Sequence, residues 1–183
     1  MTEKEKQEAG YLYTPTDDMK THRFSIQDAC MEYNKLLPSQ VKERRDFLSK
    51  ILGKVGKNCN ILPPFKCDSG YHIELGENFF ANYGCIILDV NKVKIGKNCM
   101  IAPNVGIYSA THPVRAEERY NGVELGLPIT IGDNCWIGGG AIINPGVTLG
   151  NNVVVASGAV VTKSFGDNLV IGGNPARILK ELK

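Results

Sequence analysis

A six-residue repeat constrains the fold of this chain more than any other feature. From Ile131 the sequence reads IGDNCW IGGGAI INPGVT LGNNVV VASGAV, and an aliphatic residue returns at every sixth position as far as Val161. The next residue is always small or polar, and the fifth residue of each unit is small or apolar. No α-helix has a period of six, and a simple alternating strand has a period of two. The pattern therefore predicts a mainly β protein, a parallel β-helix of hexapeptides.

The same spacing, less regular, extends the predicted β-helix over residues 55–171. Val55, Leu75 and Ile95 are 20 residues apart, which predicts coils of three hexapeptides with small corner insertions. The interval from Ile95 to Ile131 is 36 residues, but its second half is charged and contains an Asn-Gly turn signal. We expect residues 113–128 to leave one corner as an inserted loop, where solenoids often carry function.

Both ends of the chain are predicted to be helical and to form one structural unit with the β-helix. Residues 1–54 contain three helix patterns: residues 2–9 after Thr2, a segment from Ser25 to about residue 36, and a segment from Ser39 to Gly53. Such a cap would cover the open end of the solenoid. Residues 172–183 are expected to form a C-terminal helix, with Asn-Pro at its start.

The composition indicates which kinds of binding partner and which cellular location to expect. The net charge of +2 predicts no nucleic-acid or membrane partner. No apolar run reaches the roughly 18–20 residues that span a bilayer, and the polar N-terminus lacks a signal-peptide pattern, so we expect a cytoplasmic protein. The six cysteines include no CxxC, and most of them fall on repeat positions. They are therefore interpreted as small buried hydrophobic residues, with no metal site.

Four segments carry more information than the repeat alone: NYGCIILD, IAPNVGIYSATHP, PITIGDNCWIGGGAIINPGVTLG and GGNPARI. Together they resemble the maltose and galactoside O-acetyltransferases of the hexapeptide-repeat acyltransferase family, over essentially the whole chain. FKCDSGY and GGNPARI are more similar to the maltose enzymes. The resemblance implies a left-handed β-helix, a homotrimer with sites between subunits, acetyl-CoA as cosubstrate, a sugar acceptor and no metal.

His112, in the segment SATHP, is the candidate general base. Transfer of an acyl group to an alcohol needs a base with a pKa near 7, and histidine is the usual choice. From its residues alone, a structural turn histidine before proline is the favoured interpretation; the resemblance implies instead that His112 deprotonates the acceptor hydroxyl. The resemblance also assigns Asn82 to the acetyl and acceptor site, where its amide can donate to the oxyanion. The best remaining nucleophile, Cys85, is at a buried repeat position, so direct attack in a ternary complex is expected.

The other site residues follow from the resemblance, position by position. Carboxylates that pair with sugar hydroxyls are expected at Asp17, Asp68 and Asp89, with Glu124 of the inserted loop as a further candidate. Asp17 has Asp18 beside it, in a connector of variable length. The extended coenzyme is expected to contact Asn82, Trp136, Gly139, Ser157, Thr162 and Lys163. Its phosphates are expected to bind Arg177 and Lys180. Some relatives have a hydroxyl residue at the position of Gly139, so only the role of its backbone N–H is expected here. Lys180 replaces an arginine of some relatives, which keeps the positive charge but loses the bidentate pairing with phosphate.

Three other functions remain open at this level. The acceptor could be an antibiotic, a serine or a lipid-linked sugar. A metal enzyme of the same solenoid class would need three converging histidines, and the chain has only His22, His72 and His112, of which the first lies in the helical cap. A non-catalytic scaffold would use only the flat faces of the solenoid.

Overall fold

The computed structural model describes residues 1–183 and confirms the parallel β-helix. Three sheets form its sides, and each coil passes from sheet 1 to sheet 2 to sheet 3. Sheet 1 contains β1 (Lys54–Val55), β4 (Ile73–Leu75), β7 (Val93–Ile95), β12 (Ile129–Ile131) and β15 (Thr148–Leu149). Sheet 2 contains β2 (Asn60–Ile61), β5 (Phe80–Ala81), β8 (Met100–Ile101), β13 (Trp136–Ile137), β16 (Val153–Val155), β18 (Leu169–Gly173) and β19 (Ala176–Glu181). Sheet 3 contains β3 (Phe65–Cys67), β6 (Cys85–Leu88), β9 (Gly106–Tyr108), β14 (Ile142–Ile143) and β17 (Val160–Val161).

The strand register follows the spacing of the sequence. Val55 pairs with Leu75 and Leu75 with Ile95, so the first coils are 20 residues long, and Ile95 pairs with Ile131 across the 36-residue interval. The aliphatic repeat positions point inward and are buried. Burying each such side chain contributes about 1.5–3 kcal/mol. Because neighbouring coils place these residues directly above one another, the core is a continuous stack along the helix axis.

The corner between sheets 1 and 2, here called the first corner, is built on a ladder of asparagines. Asn58, Asn78, Asn98 and Asn134 all have φ between 56° and 58°, the left-handed conformation that asparagine tolerates better than most residues. Each side-chain amide donates to the next asparagine, at 3.1, 2.9 and 3.0 Å. The same residue type in the same conformation therefore satisfies its own polar groups coil after coil.

Three helices form the N-terminal cap: α1 (Glu3–Glu8), α2 (Asp17–Tyr33) and α3 (Val41–Ile51). α2 packs on β3, and α3 packs on β1 and β2, so they cover the first coil. The prediction that the second helix starts at Ser25 was wrong, because Thr16 caps it by accepting a hydrogen bond from the Met19 N–H. Asp17 and Asp18 then occupy the first turn, where acidic side chains stabilise a helix. No helix combines the length and hydrophobicity that a membrane crossing requires.

The inserted loop has structure of its own. It leaves sheet 3 through β10 (Ala110–Thr111), forms a short helix α4 (Ala116–Tyr120) and returns through β11 (Leu125–Gly126). β10 and β11 pair antiparallel, with Ala110 opposite Gly126 and Thr111 opposite Leu125. The insertion is therefore anchored at its base to the corner between sheets 3 and 1, here called the third corner.

The predicted C-terminal helix over residues 172–183 was wrong. β18 and β19 form an antiparallel hairpin, joined by a turn with Gly173 at φ 99° and a cis peptide bond between Asn174 and Pro175. β18 adds to sheet 2 beside β16, and β19 covers its other edge. Pairing of that exposed edge decides the conformation, whereas the Asn-Pro sequence alone also fits a helix start.

Candidate active site

A cavity of about 170 Å³ lies at the third corner, between the helical cap, the first two coils and the insertion. Its lining includes His112 and Glu124 of the insertion, Asp68 of the first coil and Arg23 of α2. Leu88, Val90, Ala110, Thr111 and Leu125 complete the wall. Three candidate site residues from distant parts of the sequence therefore face one small, partly apolar space.

The β10–β11 ladder aligns His112 with Glu124. Ala110 lies opposite Gly126 and Thr111 opposite Leu125, and His112 and Glu124 are the next residues along the two strands. The ladder thus places both side chains at the base of the insertion, and both line the cavity.

Glu124 is held as a fixed negative charge. Arg23 donates to it from both Nη atoms, at 3.2 and 2.8 Å, and the Tyr13 hydroxyl donates to its Oε2 at 2.6 Å. Gln7 in turn donates to the Tyr13 oxygen at 3.2 Å. Burial alone raises the pKa of the Glu124 carboxyl, but the hydrogen bonds from Arg23 and Tyr13 outweigh burial and hold this pKa below its usual value. Glu124 therefore stays ionised at neutral pH.

Asp68 and Asp89 occupy successive coils of the third corner but play different structural parts. Asp89 is 0% exposed, and its Oδ1 accepts the backbone N–H groups of Asp68 and Ser69, both at 2.9 Å. Burial raises the pKa of Asp89 to about 7, although those hydrogen bonds partly oppose the shift. Asp68 lines the cavity, and Gln27 donates to its Oδ1 at 3.3 Å. Asp89 does not line the cavity: its side chain lies inside the corner, where its Oδ1 holds the backbone of Asp68 and its Oδ2 has no hydrogen-bond partner.

Asp17 lies outside the cavity. Its side chain is 98% exposed and pairs only with Lys20, at 3.2 Å, because it belongs to the solvent-facing first turn of α2. Two residues not predicted from the sequence contribute instead. The predicted start at Ser25 left Arg23 outside the helix, and Thr16 followed by two acids was the signal that would have placed Arg23 on α2. Tyr13 contacts Glu124, which is 111 positions away in the sequence, and no local sequence pattern predicts that contact.

The expected coenzyme residues divide between separate parts of the surface. Asn82, Gly139 and Ser157 line the corner between sheets 2 and 3, here called the second corner, where Asn82 N donates to Ile101 O at 2.9 Å and Gly158 N to Gly139 O at 2.8 Å. The Asn82 Oδ1 accepts the Tyr83 N–H at 2.8 Å, which leaves its amide nitrogen free to donate outward. The width of sheet 3 separates this corner from His112 in one chain.

The remaining coenzyme candidates are exposed. Trp136 is 51% exposed on the outer face of sheet 2, beside Met100 and Val154. Thr162 and Lys163 follow β17 at the third corner, and Arg177 and Lys180 lie on β19. The two basic residues are thus carried by a strand of the terminal hairpin and not by a helix.

Two family models match the chain. The one described as the maltose acetyltransferase hexapeptide capping motif matches residues 6–56, and the one described as the hexapeptide repeat of succinyl-transferase matches residues 128–163. A putative acetyltransferase of Dictyostelium discoideum is 51% identical over 100% of this chain and 95% of its own length. A crystal structure of a maltose O-acetyltransferase from Clostridium difficile is 47% identical, with a TM-score of 0.97, and the match covers 100% of this chain and 98% of that one.

The chain belongs to the maltose and galactoside O-acetyltransferase family. A structure of a galactoside acetyltransferase in complex with coenzyme A is similar as well, with 38% identity, a TM-score of 0.96 and coverage of 100% of this chain and 92% of that one. The predicted family and enzyme class are therefore confirmed: the protein is an acyltransferase.

Other titratable groups of this acetyltransferase are engaged within the structure. His72 is buried, with Nδ1 2.8 Å from the carbonyl oxygen of Asp89, and His22 Nε2 lies 2.9 Å from the carbonyl oxygen of Ser69. No three His, Cys, Asp or Glu side chains are grouped in a way that could hold a metal ion. Burial raises the pKa of the Cys85 thiol to about 12, which disfavours the nucleophilic thiolate. His112 is therefore the histidine that lies in the candidate active-site cavity.

Proposed function

We propose that this acyltransferase moves an acetyl group from acetyl-CoA to a hydroxyl of a sugar, with His112 as the general base. The observation that carries the proposal is the cavity at the third corner, where His112, Asp68 and Glu124 face one another. Two carboxylates that can accept from sugar hydroxyls line the same cavity as an imidazole that can accept a proton. The apolar wall of the cavity matches the C–H surface of a sugar ring.

In the proposed reaction the acceptor hydroxyl gives its proton to His112 as its oxygen attacks the thioester carbonyl carbon. The tetrahedral intermediate carries a negative charge on the former carbonyl oxygen, and the free amide nitrogen of Asn82 donates to it. When the intermediate collapses, the C–S bond breaks and the coenzyme A thiolate takes the proton from His112. No acyl-enzyme forms, so both substrates are bound together.

Glu124 acts in this scheme through its charge. Once His112 has taken the proton it is an imidazolium, and an ionised carboxylate across the β10–β11 ladder stabilises that cation. The hydrogen bonds from Arg23 and Tyr13 fix the orientation of the Glu124 carboxylate. They leave one lone pair on Oε1 for the acceptor or for His112. The role of Glu124 is thus wider than acceptor binding.

A second copy of the chain completes the site in this proposal. Asn82 and His112 lie on opposite sides of sheet 3, so Asn82 of a neighbouring subunit would approach His112 in a homotrimer. The outer faces support such packing. Sheet 1 presents a polar outer row, Lys54, Glu74, Lys94, Thr130 and Thr148. The outer row of sheet 2 is Asn60, Phe80, Met100, Trp136, Val154 and Val170, and that of sheet 3 is Lys66, Ile86, Gly106, Ile142 and Val160. Beyond the first coil both rows are apolar. Apolar outer faces of this size favour subunit contacts.

The coenzyme would lie along the coils toward the C-terminal hairpin. Gly139 and Ser157 offer backbone groups at the second corner, Trp136 offers an aromatic surface, and Thr162 and Lys163 lie at the third corner of the fifth coil. Arg177 and Lys180 carry exposed positive charge suited to phosphates. Between subunits, these two corners would form opposite walls of one groove.

The deciding experiment is a thiol-release assay with acetyl-CoA and a panel of acceptors: maltose, glucose, a galactoside, serine and an aminoglycoside-type antibiotic. Sugar-dependent release of coenzyme A, with an acetylated sugar found by mass spectrometry, supports the proposal. If coenzyme A is released only with serine or the antibiotic and not with a sugar, the acceptor belongs to a different class and the proposed sugar acceptor is wrong. Light scattering of the same preparation gives the number of subunits, and a stable monomer would contradict the shared site.

A further inference from the structure

A second cavity, of about 340 Å³, lies beside the active-site cavity, between α2 and the outer face of sheet 3. The two cavities share Asp68 and Leu88. Cys30 of α2 and Cys67 of β3 lie side by side in the lining of the second cavity, and their sulfur atoms are 3.6 Å apart. Two thiols from separate elements therefore meet next to a carboxylate of the proposed acceptor site.

The other four cysteines lie inside the β-helix. Cys99 and Cys135, on successive coils, also share a thiol–thiol hydrogen bond, but they lie at the first corner, away from the proposed acceptor site. Cys59, Cys99 and Cys135 donate to backbone carbonyls of the neighbouring coil, at 3.1, 3.1 and 3.2 Å, and Cys85 is enclosed in the core. They fill the interior of the β-helix, as the repeat predicts. Cys30 and Cys67 lie where the cap meets the first coil, and both residues line the second cavity, although each is only 3% exposed.

We propose that Cys30 and Cys67 are an oxidation site at which a hydroperoxide forms an intramolecular disulfide. In the first step the Cys30 thiolate attacks one peroxide oxygen, the O–O bond breaks, and a sulfenic acid and one water (or alcohol) form. In the second step the Cys67 sulfur attacks the sulfenic sulfur, and a second water leaves as the S–S bond forms. The two thiols lose two electrons, which reduce the peroxide, and the two thiol protons end in the departing molecules.

Local hydrogen bonding favours Cys30 as the first nucleophile. The two sulfur atoms share one hydrogen bond, which lowers the pKa of Cys30 and raises the pKa of Cys67. The thiolate is the species that reacts with peroxide, so the sulfur with the lower pKa reacts first. Because the partner sulfur already touches it, the sulfenic acid is trapped as a disulfide before further oxidation.

The disulfide would alter the acceptor cavity. An S–S bond is about 2.05 Å long, so its formation draws the two sulfurs, and with them α2 and β3, closer together. Asp68 follows Cys67 directly, and Gln27, one turn before Cys30, donates to Asp68 at 3.3 Å. Arg23, one turn before Gln27 on α2, donates a hydrogen bond to Glu124. Oxidation would therefore shift two walls of the proposed acceptor site and leave the second corner unchanged.

The test treats the full-length protein with a small excess of hydrogen peroxide, removes the peroxide and maps disulfides by mass spectrometry under denaturing conditions. Wild type, Cys30→Ala, Cys67→Ala and the control Cys85→Ala are compared. We expect a Cys30–Cys67 disulfide in wild type and in the control, loss of two of the six free thiols, and full reversal by dithiothreitol. A Cys30 or Cys67 that survives as a thiol or ends as a sulfinic acid in wild type, or a disulfide between other cysteines, overturns the proposal.

The effect on activity rests on the proposed function and is measured separately. Oxidised wild type should lose about 10-fold or more in kcat/KM for the acceptor, within the range that a displacement of about 1 Å produces. The KM for acetyl-CoA should not change, and the Cys30→Ala variant should be unaffected by peroxide. An oxidised enzyme that keeps its acceptor kinetics would reject the link to the active site. A preparation that lacks sugar acetylation altogether rejects the proposed function, and the disulfide map still decides the oxidation site.

Discussion

The first and third corners of the β-helix differ in how their polar residues repeat from coil to coil. At the first corner each coil repeats one asparagine in one left-handed conformation, and the side chains bond to one another. At the third corner successive coils carry Asp68, then Asp89, then the insertion with His112. A repeated polar residue satisfies itself and stabilises the fold, whereas a corner that changes from coil to coil leaves polar groups available for a substrate.

The largest expected effect is at the third corner. His112→Ala should lower kcat by about 10²-fold or more, the scale of a lost general base. The melting temperature and the affinity for coenzyme A should be unchanged, because His112 is exposed and does not contribute to the core. Turnover and thermal unfolding, measured on one preparation, check both parts. If the variant kept wild-type kcat, His112 would not be the general base, and the third corner would not differ from the first in its chemistry.

Buried Asp89 should make the stability of the third corner depend on pH. Its pKa is raised to about 7 in the folded protein, from 3.8, so between about pH 4 and pH 7 the folded state holds a proton that the unfolded state has lost. The free energy of unfolding should therefore fall as pH rises through this window and level off above it, by about 1.4 kcal/mol for each unit of displaced pKa.

The Asp89→Asn variant isolates that contribution. His72 acts in the opposite direction, because burial lowers its pKa and the unfolded state gains a proton first as pH falls. The relevant quantity is therefore the difference between wild type and variant in urea unfolding at pH 4.5, 6 and 8. Parallel curves for the two proteins would show that Asp89 is ionised throughout and that its burial has no energetic consequence.

Glu124→Gln should give a smaller loss than His112→Ala. The amide keeps the size of the side chain and removes the charge that faces the imidazolium, so we expect kcat to fall about 10-fold, which corresponds to about 1.4 kcal/mol. Tyr13→Phe is the matched variant: it removes the hydrogen bond to Oε2 and leaves the carboxylate, so its loss should be smaller. If both variants lowered kcat equally, orientation and not charge would be the contribution of Glu124.

At the first corner we expect an effect on stability alone and none on turnover. Asn98→Ala places a side chain without αL tolerance at φ 56° and interrupts the ladder, so the free energy of unfolding should drop by about 1–2 kcal/mol. Asn98→Gly keeps the backbone free and should lose less. Chemical denaturation measures both, and kcat should match wild type. A catalytic defect in either variant would mean that the first corner contributes more than structure.

The coils and the anchor of the insertion were predictable because each rests on local regularity. The aliphatic period sets the register from Val55 to Val161, and the break after His112 marks the insertion. Asp68, Glu124 and His112 were all named from the sequence and line one cavity. Asp89 was named for the acceptor, yet its side chain is inside the corner, because spacing along the chain does not reveal the direction of a turn residue.

The errors concern contacts between distant segments. Arg23 and Tyr13 meet Glu124 from the cap, and neither has a neighbour in sequence that predicts it. The terminal hairpin replaces the expected helix because β18 offers an edge to pair with. The cysteines are buried as predicted, but the contact of Cys30 with Cys67, across 37 positions, follows from no repeat position.

The sequence by itself determined the β-helix, its coil length, the position of the insertion and the family, because a six-residue period is a local property that each coil repeats. The tertiary structure alone decided which polar groups face the cavity, how Glu124 is held and what covers the last strand. Those outcomes depend on pairing and packing between segments far apart in the chain. The third corner is functional for that reason: its residues come from different coils, the cap and the insertion, and they become a site only when folded together.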